Sequence, residues 1–225
     1  MRCNRRSRTC WAYHQGMPQY ARSERKTLAD LMQTLGPDAP TLNEGWATRD
    51  LAAHLVLRER RPDAAGGILL PPLRGYAERV RRQLAARPWE RLVDQVRQPP
   101  VWSPISNPLL DEAANTMEFF IHHEDVRRAQ ADWQPRDLPA GLQQALWKRA
   151  AGLARLTLRR FPAEVLVQAP GYGQRPAGRG GEQLRLVGAP GELVLFLSGR
   201  QRAARVQIDG PPGPADRLRD AQLGL

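Results

Sequence analysis

Between residues 24 and 130 the apolar side chains recur at helical spacing, in segments cut by proline and glycine. That pattern admits packed helices and leaves little room for a sheet. The first segment, about Glu24 to Leu35, sets Leu28, Leu31, Met32 and Leu35 on one face and stops at Gly36-Pro37. A second starts behind Thr48, a good N-cap, carries Asp50 in the first turn where the helix dipole favours an anion, and ends before Pro62. A third, about Leu73 to Arg97, breaks at Arg87-Pro88. Leu73, Tyr76, Val80 and Leu84 line its first piece, and Trp89, Leu92, Val93 and Val96 its second. Pro99, Pro100, Pro104 and Pro108 then forbid regular structure, and a fourth helix follows over about Leu109 to Gln130.

Four amphipathic helices predict an antiparallel four-helix bundle over residues 22–133, with the proline-rich 98–108 stretch as a longer crossover. Beyond it the pattern changes. A helix from about Pro139 to Arg160 precedes short β-type runs at Glu164 to Gln168, Gln183 to Val187 and Arg205 to Ile208, with a short helix at Pro190 to Ser198. Residues 134–225 therefore read as a small mixed α/β domain, and the chain as an α+β protein.

The formal charge of +11 is unevenly placed: Arg2, Arg5, Arg6, Arg8 and Arg22 fall in residues 1–22, which hold no acid, so +6 remains for the rest. That distribution speaks against a nucleic-acid surface, which gathers its cations on one face of the fold. No apolar run approaches the roughly 18 residues of a membrane span, and no signal peptide is readable, so a cytoplasmic address is expected. Residues 1–21 read as a disordered basic leader. Both cysteines, Cys3 and Cys10, lie in it, and with His14 their gaps match no familiar zinc spacing.

The chemistry-bearing pattern is on the fourth helix. At about 100° per residue, Asp111, Asn115, Glu118, His122 and Asp125 fall within about 40° of one direction. Leu110, Ala114, Met117 and Ile121 form the neighbouring apolar face, expected to point into the bundle, which places Glu118 and His122 at its margin or inside. A Glu/His pair at i, i+4 can aim a carboxylate oxygen and an imidazole nitrogen at one point, as metal-binding bundles do. His54, in the most apolar stretch of the second helix, is the candidate third ligand. The plain alternatives are a solvated i, i+4 contact and a hydrogen-bonded core histidine. Asp50 and Asp125 lie one turn from His54 and His122, where either could accept the imidazole N–H that a metal leaves unused. Alternatively Asp50 serves only its helix N-terminus, and Asp125 pairs with Arg128 or Arg49. His123, one step round the helix, faces elsewhere.

Three segments carry a family resemblance: Trp46-Ala-Thr-Arg-Asp-Leu-Ala-Ala-His-Leu55, Glu118-Phe-Phe-Ile-His-His-Glu-Asp-Val126 and Gly191-Glu-Leu-Val-Leu-Phe-Leu-Ser-Gly-Arg200. They resemble the DinB-like, mycothiol-dependent maleylpyruvate isomerase family of actinobacteria, over about residues 22–225. The resemblance implies a metal-binding bundle followed by a domain related to sterol carrier proteins, with zinc ligands on His54, Glu118 and His122. It implies mycothiol as the thiol cosubstrate. Arg200, where the short helix of the second domain ends, is a candidate catalytic residue able to reach an anionic substrate across the domain cleft. It also suits a helix C-terminus simply as a cation.

Two imidazoles and one carboxylate leave a coordination position open, the mark of catalytic rather than structural sites. With no cysteine in the folded part, an exogenous thiol would be the nucleophile toward a small electrophile, giving transfer or isomerisation. The same ion could instead activate water for hydrolysis, or the chain could be a non-catalytic metal- or ligand-binding module. The expected partners are a small thiol and its electrophile, with no nucleic acid and no membrane, in a monomer or homodimer.

Overall fold

The computed structural model describes residues 19–68, 70–100, 102–103 and 111–224. Helix α1 (Tyr20–Leu35) starts before the periodic segment. Residues 20 and 21 thus belong to the fold and not to the leader: Ala21 is buried and its N–H donates to Glu112 Oε2 at 3.0 Å. Residues 1–18 of that leader lie outside the described residues. Gly36, at φ +84°, ends α1 by donating its N–H to Met32 O, a conformation glycine adopts without steric cost.

Helix α2 (Thr48–Arg60) corrects the expected cap by one residue. Ala47 is the N-cap and Thr48 the first helical residue, because the Thr48 hydroxyl donates to Gly36 O at 2.5 Å and ties α2 to the end of α1. The short α3 (Pro62–Ala65) and two 3-10 turns lead into α4 (Arg74–Ala85), and Pro88 separates α4 from α5 (Trp89–Arg97) as the sequence predicts. Val80 and Leu84 are buried, but Leu73 and Tyr76 are exposed, since the Tyr76 hydroxyl turns outward to donate to Asp63. Helix α6 (Asp111–Arg127) ends three residues before the expected Gln130, and residues 104–110, with part of the expected crossover, lie outside the described residues.

In the bundle, α1 packs on α5 and α6, and α2 packs on α4 and α5. The core holds Leu28, Met32, Leu51, Leu55, Leu92 and Phe119, all nearly inaccessible, and truncating such a leucine to alanine costs about 2–5 kcal/mol. Through this core runs a buried ion pair. Arg25 of α1 donates to Glu59 of α2 at 2.7 and 2.5 Å while its guanidinium lies 4.1 Å from the Phe119 ring centroid.

The second unit begins with α7 (Ala140–Thr157) and a four-stranded sheet: β1 (Glu164–Ala169), β2 (Gly173–Gly178), β3 (Gln183–Val187) and β4 (Gln207–Asp209), in the order β2-β1-β3-β4. β1 runs antiparallel to β2 and parallel to β3, and β3 antiparallel to β4. The Gly-Gln-Arg-Pro-Ala-Gly sequence of strand β2 shows no alternation and predicts no strand; it survives at the sheet edge, where the missing N–H of Pro176 is tolerated. Helices α8 (Pro190–Leu197) and α9 (Pro212–Asp220) complete the domain.

Helix α6 overturns one expectation. Met117 and Ile121 point toward the α/β core and not into the bundle; Phe119 and Val126 supply the bundle side instead. Because α6 is flanked by both cores, it has no single wet face, and His122, His123, Glu124 and Asp125 are all buried. At Gly191 a Cβ would come within 2.9 Å of Phe120, so glycine lets α8 close on α6. Among the described residues no helix is long and apolar enough to cross a membrane.

Candidate metal centre

His54 projects from the middle of α2 toward α6, where Glu118 and His122 stand one turn apart. Glu118 Oε1 lies 3.5 Å from His54 Nε2 and 3.3 Å from His122 Nε2, and the three candidate donor atoms lie within 4.8 Å of one another. Ligand bonds of about 2.1 Å at tetrahedral angles put donors about 3.4 Å apart, so the separations suit one ion of zinc size. The donor set also suits it: two imidazole nitrogens and a carboxylate oxygen. Arg58, one turn past His54, places Nε 3.3 Å from Glu118 Oε1 and donates to Asn115 Oδ1 at 2.5 Å.

Burial works against charge here, and the neighbours decide which groups keep it. For Glu118 the hydrogen bonds from His122 and His54, with Arg58 nearby, outweigh desolvation and hold the carboxyl well below its usual range. Desolvation likewise disfavours an imidazolium at His122, yet the bonds to Asp125 and Glu118 raise it to about 9. At His54 desolvation prevails over Glu118 and lowers the pKa. A metal at these donors would compete with protons for the two imidazole Nε2 atoms.

On the other side of the His122 ring, Nδ1 is 2.9 Å from Asp125 Oδ2. Asp125 is itself gripped by Arg200, whose Nε donates to Oδ1 at 2.8 Å and Nη2 to Oδ2 at 2.7 Å. Asn43 Nδ2 donates to Asp125 Oδ2 at 3.2 Å. Burial raises the Asp125 pKa, but Arg200 and His122 bring it down to about 2. The Asp125 partner is thus Arg200, neither Arg128 nor Arg49. Arg200 does cross from the α/β domain to the bundle, but its donors go to Asp125, Asn43 and Ser198 O, the last at a helix C-terminus. Its hydrogen bonds thus reach the candidate centre through Asp125 and not at the three donor atoms themselves.

Asp50 is engaged elsewhere. Its Oδ2 accepts the Ala47 N–H at 3.1 Å and its Oδ1 pairs with Arg81, which corrects the expectation that it reaches His54. His54 has the Trp46 ring beside it instead, at a centroid distance of 5.5 Å. His123 faces α1, with Nδ1 2.9 Å from Glu24 Oε2. Of the polar stripe, Asn115, Glu118, His122 and Asp125 are brought into this one network; the Asp111 side chain lies outside the described residues. Two participants were missed in the sequence. Arg58 obeys the same i, i+4 rule from His54 that singled out His122 from Glu118, whereas Asn43 sits in a loop with no period to reveal it. A cavity of about 720 Å³ opens beside Asn43 and Arg200, and none of the three candidate ligands lines it.

No protein-family model and no curated protein sequence matches the chain. Among solved structures it resembles the crystal structure of the mycothiol-dependent maleylpyruvate isomerase, at 18% identity and a TM-score of 0.55, over 85% of this chain and 92% of that one. A histidine-to-alanine mutant of that enzyme matches at 17% identity and a TM-score of 0.49, over 86% of this chain and 93% of the other. At such identity the likeness is one of fold: a helical bundle followed by a small mixed α/β domain.

Proposed function

We propose that the chain is a metal-dependent enzyme that uses a low-molecular-weight thiol, mycothiol, as nucleophile toward a small electrophilic substrate, by transfer or isomerisation. The observation that carries this reading is the convergence of His54, Glu118 and His122 at ion-binding separations, in a fold like that of the mycothiol-dependent maleylpyruvate isomerase. When bound, a divalent ion, zinc in this reading, supplies a Lewis acid that keeps a thiol ionised near neutral pH. His54 and His122 present Nε2, Glu118 presents Oε1, and Arg58 restrains that carboxylate from the α2 side. Asp125 accepts the His122 Nδ1–H, which fixes the tautomer that leaves Nε2 free. Three protein ligands leave a position for the thiol. Among the described residues there is no cysteine, and Cys3 and Cys10 both lie outside them.

Metal analysis of the purified protein, followed by turnover of electrophiles with and without mycothiol, tests the reading. The expected result is one zinc per chain and consumption that requires the thiol. Thiol-independent hydrolysis would replace the thiol with water in this scheme. One bound ion with no turnover of either kind would leave a metal-binding module.

A further inference from the structure

Asn43 belongs to a tight loop between α1 and α2. The Trp46 N–H closes on Asn43 O at 3.0 Å, Gly45 supplies a left-handed residue at φ +75°, and the Thr41 hydroxyl donates to Trp46 O at 2.8 Å. The loop is pinned to α6 by the Leu42 N–H, which donates to the Asp125 backbone oxygen at 3.0 Å. It lies against one candidate imidazole, with Trp46 beside His54, and is linked to the other through the Asn43–Asp125 and Asp125–His122 hydrogen bonds.

We propose that Asn43 and Arg200 are positioning residues for metal binding, holding the Asp125 carboxylate on His122 from the α1–α2 loop and from the α/β domain at once. This rests on the metal reading above. The Asn43 amide is read in one orientation only: Nδ2 faces a carboxylate and Oδ1 accepts from Arg200 Nη2 at 2.8 Å, so a flipped amide would oppose like to like at both ends. Asp125 Oδ2 thereby takes three donors, from Arg200, Asn43 and His122, while Oδ1 takes Arg200 Nε. The carboxylate is wholly buried and cannot turn without leaving one of these donors unpaired. Residues 43, 125 and 200 come from three distant segments. Metal affinity consequently depends on how the α/β domain docks against the bundle, though that domain contributes none of the three candidate ligands.

The test is cobalt(II) affinity of the full chain by chelator competition, with the melting temperature of the metal-free protein measured alongside. Asn43→Ala should weaken cobalt binding about 10-fold and Arg200→Gln about 10- to 100-fold while both remain folded. In an Asp125→Asn background the Asn43→Ala effect should shrink to less than about twofold, because the path through Asp125 is already cut. Folded single variants with wild-type affinity would overturn the proposal, and so would an Asn43→Ala loss undiminished in the Asp125→Asn background. A wild-type chain that takes up no cobalt would overturn the metal reading itself and the proposal with it; unchanged variants of a chain that does bind cobalt would overturn the proposal alone.

Discussion

Phe119 and Phe120 are adjacent on α6 yet belong to different cores, Phe119 to the bundle and Phe120 to the α/β domain. A helix shared in this way couples the two units mechanically. Phe119→Ala and Phe120→Ala should each cost about 3–5 kcal/mol. Either should lower a single unfolding transition seen alike by far-ultraviolet circular dichroism and tryptophan fluorescence. Two separated transitions in Phe120→Ala would show that the domains unfold independently.

The Arg25–Glu59 pair makes a different prediction, because a buried charge is costly once its partner is gone. Glu59→Ala should destabilise the protein by about 3–5 kcal/mol, whereas the double replacement Arg25→Met with Glu59→Leu should be nearly neutral. Urea unfolding of the single and double variants measures both, and a double variant as unstable as the single one would refute the argument.

How much of this was legible in the sequence depends on how local the signal is. Glu118 and His122 meet because they are one turn apart, and the proline break at Arg87-Pro88 is equally local. The side on which Met117 and Ile121 pack was not legible, since helical period gives faces and not the bodies they face; the second core was needed to decide. Strand β2 and α9 were hidden by composition, Pro176 in one and Pro212-Gly-Pro214 in the other, although Pro214, Ala215 and Leu218 are buried. Asn43 acts through tertiary contacts alone, so no spacing announces it.

Acid should unfold the protein through Glu24. Burial raises its pKa, but hydrogen bonds from His123 and Arg136 outweigh that and leave it below the ordinary 4.5. A carboxyl depressed in the folded state contributes stability above its unfolded pKa and loses it as pH falls from about 4.5 through the lower folded value. Unfolding free energy should therefore decline below about pH 4.5, and Glu24→Gln should be less stable at neutral pH with a shallower acid slope. Urea titrations between pH 3 and 7 would show it; an unchanged slope would remove Glu24 from the account.

If the three donors bind zinc, loading should stabilise the fold. At free metal about 100-fold above Kd the gain is about 2.7 kcal/mol, which for a chain of this size raises the melting temperature by about 5–10 °C. His54→Ala and His122→Ala should each abolish the rise and the stoichiometric metal. An equal rise in both variants would place the ion elsewhere.

Asp50 lies one turn before His54 and Asp125 one turn after His122, and the structure gives them different partners. Asp50 caps the Ala47 N–H and pairs with Arg81, whose guanidinium lies 4.7 Å from the Trp46 ring centroid. Asp50→Ala should thus act on the start of α2, costing about 1–2 kcal/mol through the lost cap and ion pair. Its effect on zinc affinity should stay within about threefold, against the 10- to 100-fold expected when a carboxylate is removed from a ligand imidazole. Melting curves of the metal-free protein and chelator competition separate the two effects. A tenfold loss of affinity in Asp50→Ala, with stability unchanged, would mean that Asp50 serves His54 after all.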